Sequence, residues 1–300
     1  MLRFATELLP ALLVGLLLGH RYPGLPARLA PPLIRWGVPI SLVGLLLRSG
    51  LQRELLVAAA MPLLATGLGL GLLRRWPALR RRISSGTLQL GCLTGNTAYW
   101  GLPVAIALLP ASALSHVIAY DLVGTLITWS LGPLLVQGIP ARPASILAGL
   151  RSSPASRGLV IALLLQLTPW SGAIAGWLWW PSRLVILLAL SVAGMRLGGM
   201  LQARKQGLAL ANGVGAALCG KVLVLPAGML LLALALQLPV LVRNAVVLQA
   251  AAPTAISVLL LAEASGRDGE QAASLVLWST LIGLVSVPLW WMLLSRLGPA

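Results

Sequence analysis

Two short stretches of the chain carry residue types that could hold a charged solute. One reads Gly95-Asn96-Thr97-Ala98-Tyr99-Trp100-Gly101-Leu102-Pro103 and the other Gln249-Ala250-Ala251-Ala252-Pro253-Thr254, with Ser257 close behind. Both lie inside long apolar blocks. Glycine relaxes a helix, and proline removes an amide donor and crowds the preceding turn. A helix interrupted inside lipid leaves backbone N–H and C=O groups that only protein or a wet cavity can satisfy. The start of each resumed half-helix then offers free N–H groups and partial positive charge, which suits a carboxylate. Gly95, Gly101, Pro103 and Pro253 supply the interruption. Asn96, Thr97, Gln249, Thr254 and Ser257 add neutral hydrogen-bonding groups. The competing reading is a pair of ordinary proline kinks with packing glycines. The paired positions and the polar Asn-Thr dipeptide favour a substrate site.

Few ionisable residues accompany them. Each costs about 2.5–3.5 kcal/mol at the centre of a membrane helix, so a functional role is the first hypothesis. Lys221 is a candidate counter-charge for an anion or a coupling group, against a lysine that binds a carbonyl or snorkels. Asp121, beside Tyr120, is a candidate proton carrier or a partner of Lys221, against a solvated carboxylate near the interface. Arg35, Arg196 and Glu263 fall near block ends and read as interfacial, and His116 reads as solvated. Ser115, His116 and Asp121 lack the nucleophile turn of a catalytic triad. No metal-ligand cluster, phosphate loop or cofactor motif is present. An intramembrane enzyme or a lipid-biosynthesis subunit would need clustered acids, bases or metal ligands. Six acidic residues and two histidines leave little room for that.

The elements that must position these residues follow from composition. Only 9% of the 300 residues are charged and 58% are hydrophobic, against about 25% charged in a soluble domain. Apolar blocks of about 17–25 residues match helices crossing about 30 Å of hydrocarbon, and strand-type alternation is absent. The expected spans are roughly 5–20, 32–48, 54–73, 86–108, 116–137, 157–170, 181–199, 208–236, 241–262 and 271–294, the sixth reaching toward Trp177-Leu178-Trp179-Trp180. This is an all-α membrane protein of about ten helices. Asn96 falls about 15 Å into the fourth, near the midplane.

Arg74, Arg75, Arg80, Arg81 and Arg82 follow the third block, Arg142, Arg151 and Arg157 the fifth, and Arg204 and Lys205 the seventh. The loop after the fourth has no Lys or Arg, and the loop after the sixth has Arg183 at its edge. The rich side is cytoplasmic, which puts both termini outside. Trp170, Trp177, Trp179, Trp180, Trp290 and Trp291 then fall near the outer interface. Basic residues spaced this way set topology, so the +16 net charge does not point to nucleic acid. The first block lacks a small-x-small cleavage site and reads as a retained span. Cys92 and Cys219 read as packing residues.

An odd number of spans per half inverts the second half relative to the first. Thr125-Leu126-Ile127 with Pro133-Leu134 matches Thr280-Leu281-Ile282 with Pro288-Leu289. Pro103-x-Ala105-Ile106 matches Pro253-x-Ala255-Ile256, and Ser41-x-x-Gly44 matches Ser191-x-x-Gly194. All three pairs lie five spans apart. They suggest two inverted five-helix repeats, residues 1–150 and 151–300, an arrangement common in secondary transporters.

Gly95-Asn96-Thr97-x-x-x-Gly101-Leu102-Pro103 resembles the fourth-helix motif of the auxin efflux carrier family, which includes plant PIN proteins and bacterial permeases. Ala252-Pro253-Thr254, Leu261-Ala262-Glu263 and the run from Ser274 to Pro288 resemble its ninth and tenth helices. Without a long hydrophilic central loop, the chain is similar to the compact bacterial type. The resemblance implies a scaffold domain of helices 1, 2, 6 and 7 and a transport domain of helices 3–5 and 8–10. It also implies crossed, broken helices 4 and 9 around the substrate, with Asn96 as the crossover asparagine and Pro103 and Pro253 as the crossover prolines. Thr97-Ala98-Tyr99-Trp100 is bulkier than in some relatives. The implied protein is a multi-pass permease of the cell inner membrane for a small organic anion, working by alternating access. Coupling to H+, Na+ or potential is open, and relatives suggest a homodimer. The alternative is a sodium-coupled bile-acid-type symporter of similar fold, for which the span-9 polar residues Gln249, Thr254 and Ser257 are a thin ligand set.

Overall fold

A computed structural model of the chain describes residues 2–49, 55–140, 142–203 and 212–298. Arg204 and Lys205, two of the basic residues used for orientation, lie outside the described residues. Regular structure among the described residues is helical apart from one antiparallel bridge between Gly95 and Thr254. We label the helices α1 (Leu2–Arg21), α2 (Leu25–Arg48), α3 (Leu55–Arg75), α4 (halves Gly86–Leu93 and Thr97–Leu108) and α5 (Ala111–Gln137). There follow α6 (Pro154–Gln166), α7 (Ser171–Ala203), α8 (Val214–Ala235), α9 (halves Val240–Ala251 and Ile256–Ser265) and α10 (Gly269–Arg296). Among the described residues six of them, α2, α3, α5, α7, α8 and α10, hold stretches long and apolar enough to cross a membrane, and shorter apolar helices make up the rest.

Two boundaries differ from expectation for one reason. The sequence reading starts the second span at 32 and the seventh at 181, each at a proline. In the structure α2 begins at Leu25 and α7 at Ser171, both running through their prolines. Membrane helices tolerate interior proline because neighbours re-satisfy the freed carbonyls. Trp177, Trp179 and Trp180 therefore belong to α7, not to an extended sixth span, and α6 ends at Gln166. Arg183, expected at a loop edge, is embedded in α7 one turn past Trp179. The Arg48 guanidinium at the end of α2 stacks on the same Trp179 ring at 3.9 Å, a favourable cation–π geometry.

Three helices widen into a π turn: Leu33–Gly37, Thr97–Gly101 and Gly220–Val224. Each ends two residues before a proline, at Pro39, Pro103 and Pro226. A proline ring would strike the carbonyl four residues back, and the wider turn makes room for it. In α8 the carbonyl that Pro226 leaves without a donor, that of Val222, accepts the Trp290 indole N–H at 3.0 Å. Pro103 thus explains the local widening at Thr97–Gly101, directly after the α4 break, rather than the break itself.

Helices α1 and α7 pack along most of their length. Gly15 and Gly19 of α1 rest on the backbone of Ser191 and Met195, and Gly194 and Gly198 of α7 on that of Leu12 and Leu16. Each helix offers a Gly-x-x-x-Gly face to the other, which lets backbones approach and gain dispersion contact where lipid gives no hydrophobic drive. Gly158 of α6 lies likewise against Pro39 and Leu42 of α2. Replacing Gly194 by valine should therefore cost about 1–3 kcal/mol, read as a lowered melting temperature in detergent. The same change at Gly71 of α3, where an added Cβ meets nothing within 4 Å, should cost less.

Candidate functional site

The two helix breaks meet. The Asn96 N–H donates to the Pro253 carbonyl at 2.7 Å, and the Ala255 N–H donates to the Thr94 carbonyl at 3.3 Å. These reciprocal bonds form the bridge between Gly95 and Thr254. They satisfy two amides that the sequence reading leaves free for a ligand, so the anion-facing donors begin one residue later. The amides of residues 97–99 and 256–257 open the resumed halves of α4 and α9, where first-turn N–H groups lack intrahelical partners. Those five residues line a cavity of about 90 Å³. At about 10–15 Å³ per water on this measure, that is room for several waters or a compact solute.

The cavity lies between two groups of helices. One wall is made by α2 and α7, with Ala30, Ser41 and Val192, and the other by α4, α5 and α9. Gly95, Asn96, Thr97, Asp121 and Ser257 line it. The Asn96 side chain is buried there, with no hydrogen bond to it among the described residues. The buried Tyr99 hydroxyl is also without a partner. Asp121 accepts from the Thr97 hydroxyl at 2.5 Å and, at the limit of bonding, from Thr125 at 3.5 Å.

The remaining sequence candidates sit behind this wall and hold it in place. Thr254 is fully buried; its hydroxyl donates to the Gly91 carbonyl and its amide N–H donates to the Ser279 hydroxyl oxygen, each at 3.0 Å. Gln249, also fully buried, donates its carboxamide to the Val117 carbonyl of α5 at 3.2 Å. Gly101 faces the same carboxamide so closely that a Cβ would overlap the Gln249 Oε1. Pro253 occupies the α9 break, and Pro103 lies beyond the π turn of α4. Gly101, Pro103, Gln249, Pro253 and Thr254 are absent from the cavity lining.

Lys221 is fully buried and donates from Nζ to the Ala250 carbonyl at 2.9 Å, at the end of the first half of α9. Its ammonium end lies beside Gly95, while Asp121 bonds on the cavity side of the crossover. The suggested Lys221–Asp121 pair does not form; among the described residues the ion pair is Arg196–Glu263 at 3.6 Å. His116, read as solvated, is buried at the start of α5.

Arg196 is what the sequence reading missed. Its place near the end of an apolar block suggested an interfacial residue. In the structure it lines the cavity from α7, with its side chain 11% exposed. The signal was there in the Gly194-x-x-x-Gly198 frame: the glycines face α1, so the residue between them faces elsewhere. Replacing Gly101 by alanine should cost about 1–3 kcal/mol of thermal stability. Combining it with Gln249→Ala should recover about 1 kcal/mol relative to the sum of the single changes, because the second change removes the atom struck.

Residues 144–291 match the family model described as membrane transport protein. The matched stretch runs from the helix before α6 into the last turns of α10 and includes the α9 break. The Gly95–Pro103 stretch lies outside it and is joined to it by the backbone bridge. No curated protein matches the chain.

Proposed function

The chain belongs to the membrane transport protein family of the auxin efflux carriers, and from that premise we propose that it is a secondary carrier of a small organic anion in the cell inner membrane. One observation carries the reading. Two interrupted helices cross and lock by backbone hydrogen bonds, and their resumed halves open onto one cavity. Helix N-termini favour negative charge there, and Asn96 adds an unpartnered amide side chain. The cavity's two walls correspond to a scaffold of α1, α2, α6 and α7 and a transport body of α3–α5 and α8–α10. Relative motion of the bodies would expose the cavity first to one side and then to the other. The packing of α1 on α7 and of α6 on α2, together with the paired breaks, supports two inverted repeats of about five helices each. The chain reconstituted in liposomes should accumulate or exchange labelled organic acids. Asn96→Ala should slow this about ten- to a hundredfold, as for losing one hydrogen bond to a charged group. Unchanged transport by that variant would remove the crossover as the site.

Lys221 argues against the sodium-coupled alternative. In sodium-coupled carriers, carbonyls at half-helix C-terminal ends coordinate the ion. Here a lysine amine already bonds such a carbonyl. Uptake should proceed equally in sodium and in choline medium. The coupling role falls to Asp121, whose carboxylate lines the cavity and could carry a proton across. Asp121→Asn should abolish the stimulation of uptake by an imposed proton gradient while sparing exchange of anion for anion. Gradient-driven uptake that survives in this variant would place coupling elsewhere.

A further inference from the structure

We infer that Arg196 receives the carboxylate of the transported solute, and that the solute takes this guanidinium from Glu263. The inference rests on the carrier reading of the cavity and assigns the charge-reading residue and the ligand class within it.

Arg196 and Asp121 are the charged side chains among the cavity's lining residues. Lys221 and Arg243, the buried cations among the described residues, are absent from the lining, and Lys221 is held by the Ala250 carbonyl. Asp121 is occupied by the Thr97 hydroxyl. Arg196 is not fully occupied. Its Nε is buried and has no hydrogen-bond partner, and its one ionic contact, through a terminal nitrogen, is at 3.6 Å, beyond hydrogen-bond length. A guanidinium presents its donors as a fork matching the two oxygens of a carboxylate. Glu263 does not use that geometry, and its side chain is 53% exposed, so its hold is screened by solvent. An anion entering the cavity, flanked by two helix N-termini, meets a better-placed partner than Glu263 does.

The rest of the lining sets the body of the ligand. Leu33, Ile34, Val38, Leu42 and Val192 face it from the scaffold side. A monocarboxylate with a compact apolar body fits this distribution. A second carboxylate directed at the scaffold wall would lie against these aliphatic side chains.

The ion pair also spans two moving parts. Arg196 is on α7, fixed between Gly194 and Gly198 where α7 meets α1, and Glu263 is on the second half of α9. With no solute, the pair tethers the crossover to the scaffold. Carboxylate binding frees Glu263 and releases the tether, so that motion follows occupancy.

The test uses the purified full-length chain. Monocarboxylates from acetate to benzoate are each compared with the uncharged amide, by thermal shift and by binding titration. The wild type should prefer at least one carboxylate over its amide. Arg196→Gln should lose the preference, and Arg196→Lys, which keeps charge without the fork, should keep part of it. Glu263→Gln should tighten carboxylate binding about two- to fivefold, the scale of an exposed ion pair, and leave amide binding unchanged. If Arg196→Gln keeps the wild-type preference, or Arg196→Lys folds yet loses it entirely, the assignment is overturned. Unchanged or weaker carboxylate binding in Glu263→Gln overturns the competition. Preference lost in Asn96→Ala but kept in Arg196→Gln sinks this inference and leaves the carrier reading standing. No preference in the wild type sinks both.

Discussion

Two hydrogen bonds between broken helices govern this structure. An interrupted helix inside lipid exposes backbone groups, each costing several kcal/mol if left unmet. Either break alone would be untenable at that depth. Brought together, Thr94–Asn96 and Pro253–Ala255 satisfy one another as a minimal antiparallel ladder. The bridge fixes the relative height of α4 and α9 and aims both resumed halves at one cavity. Remaining donors are those the bridge cannot reach, so the same constraint that makes the crossover stable also leaves amides for a solute.

The two walls of the cavity are held by different physics. Around the crossover, polar contacts link helix to helix: Thr97 to Asp121, Gln249 to Val117, Thr254 to Gly91 and Ser279, Lys221 to Ala250, and Trp290 to Val222. In a low-dielectric interior such bonds are strong and orientation-specific. They bind α4, α5, α8, α9 and α10 into one body. On the other side, α1, α2, α6 and α7 meet through glycines that let backbones touch, an arrangement that depends on shape and tolerates almost no added volume. The two groups of helices are thus held differently, with the cavity between them, an arrangement the proposed carrier mechanism would use.

The legible part of this fold is the part written in hydrophobicity and in punctuation. The apolar blocks placed helix in each expected interval, and the Gly95–Asn96 and Pro253 interruptions marked where α4 and α9 break. Proline was the main source of error, because its effect depends on surroundings. Pro181 and the Pro31–Pro32 pair sit inside continuous helices, Pro103 follows a π turn, and Pro253 lies in a true break. The residue type alone does not separate the cases, since each is a proline inside an apolar block. The Gln249 and Thr254 candidates bond to packing partners and are absent from the cavity lining. Only the direction of a side chain from a known helix face could have shown that, and the same information would have recovered Arg196 from the interface.

Charge placement makes the final step of the argument. A buried ion is tolerable when its partners travel with it and costly when motion strips them away. Asp121 and Lys221 are bonded within the crossover body, to Thr97 and Ala250, so a rigid displacement of that body carries both charges without breaking their contacts. Arg196 differs: its ionic partner is on the opposite body. Displacement would strand a guanidinium in a mostly aliphatic cavity unless another anion replaced Glu263. On the proposed carrier reading, a solute carboxylate would take the place of Glu263 there, and that asymmetry would tie the energetics of movement to the presence of cargo.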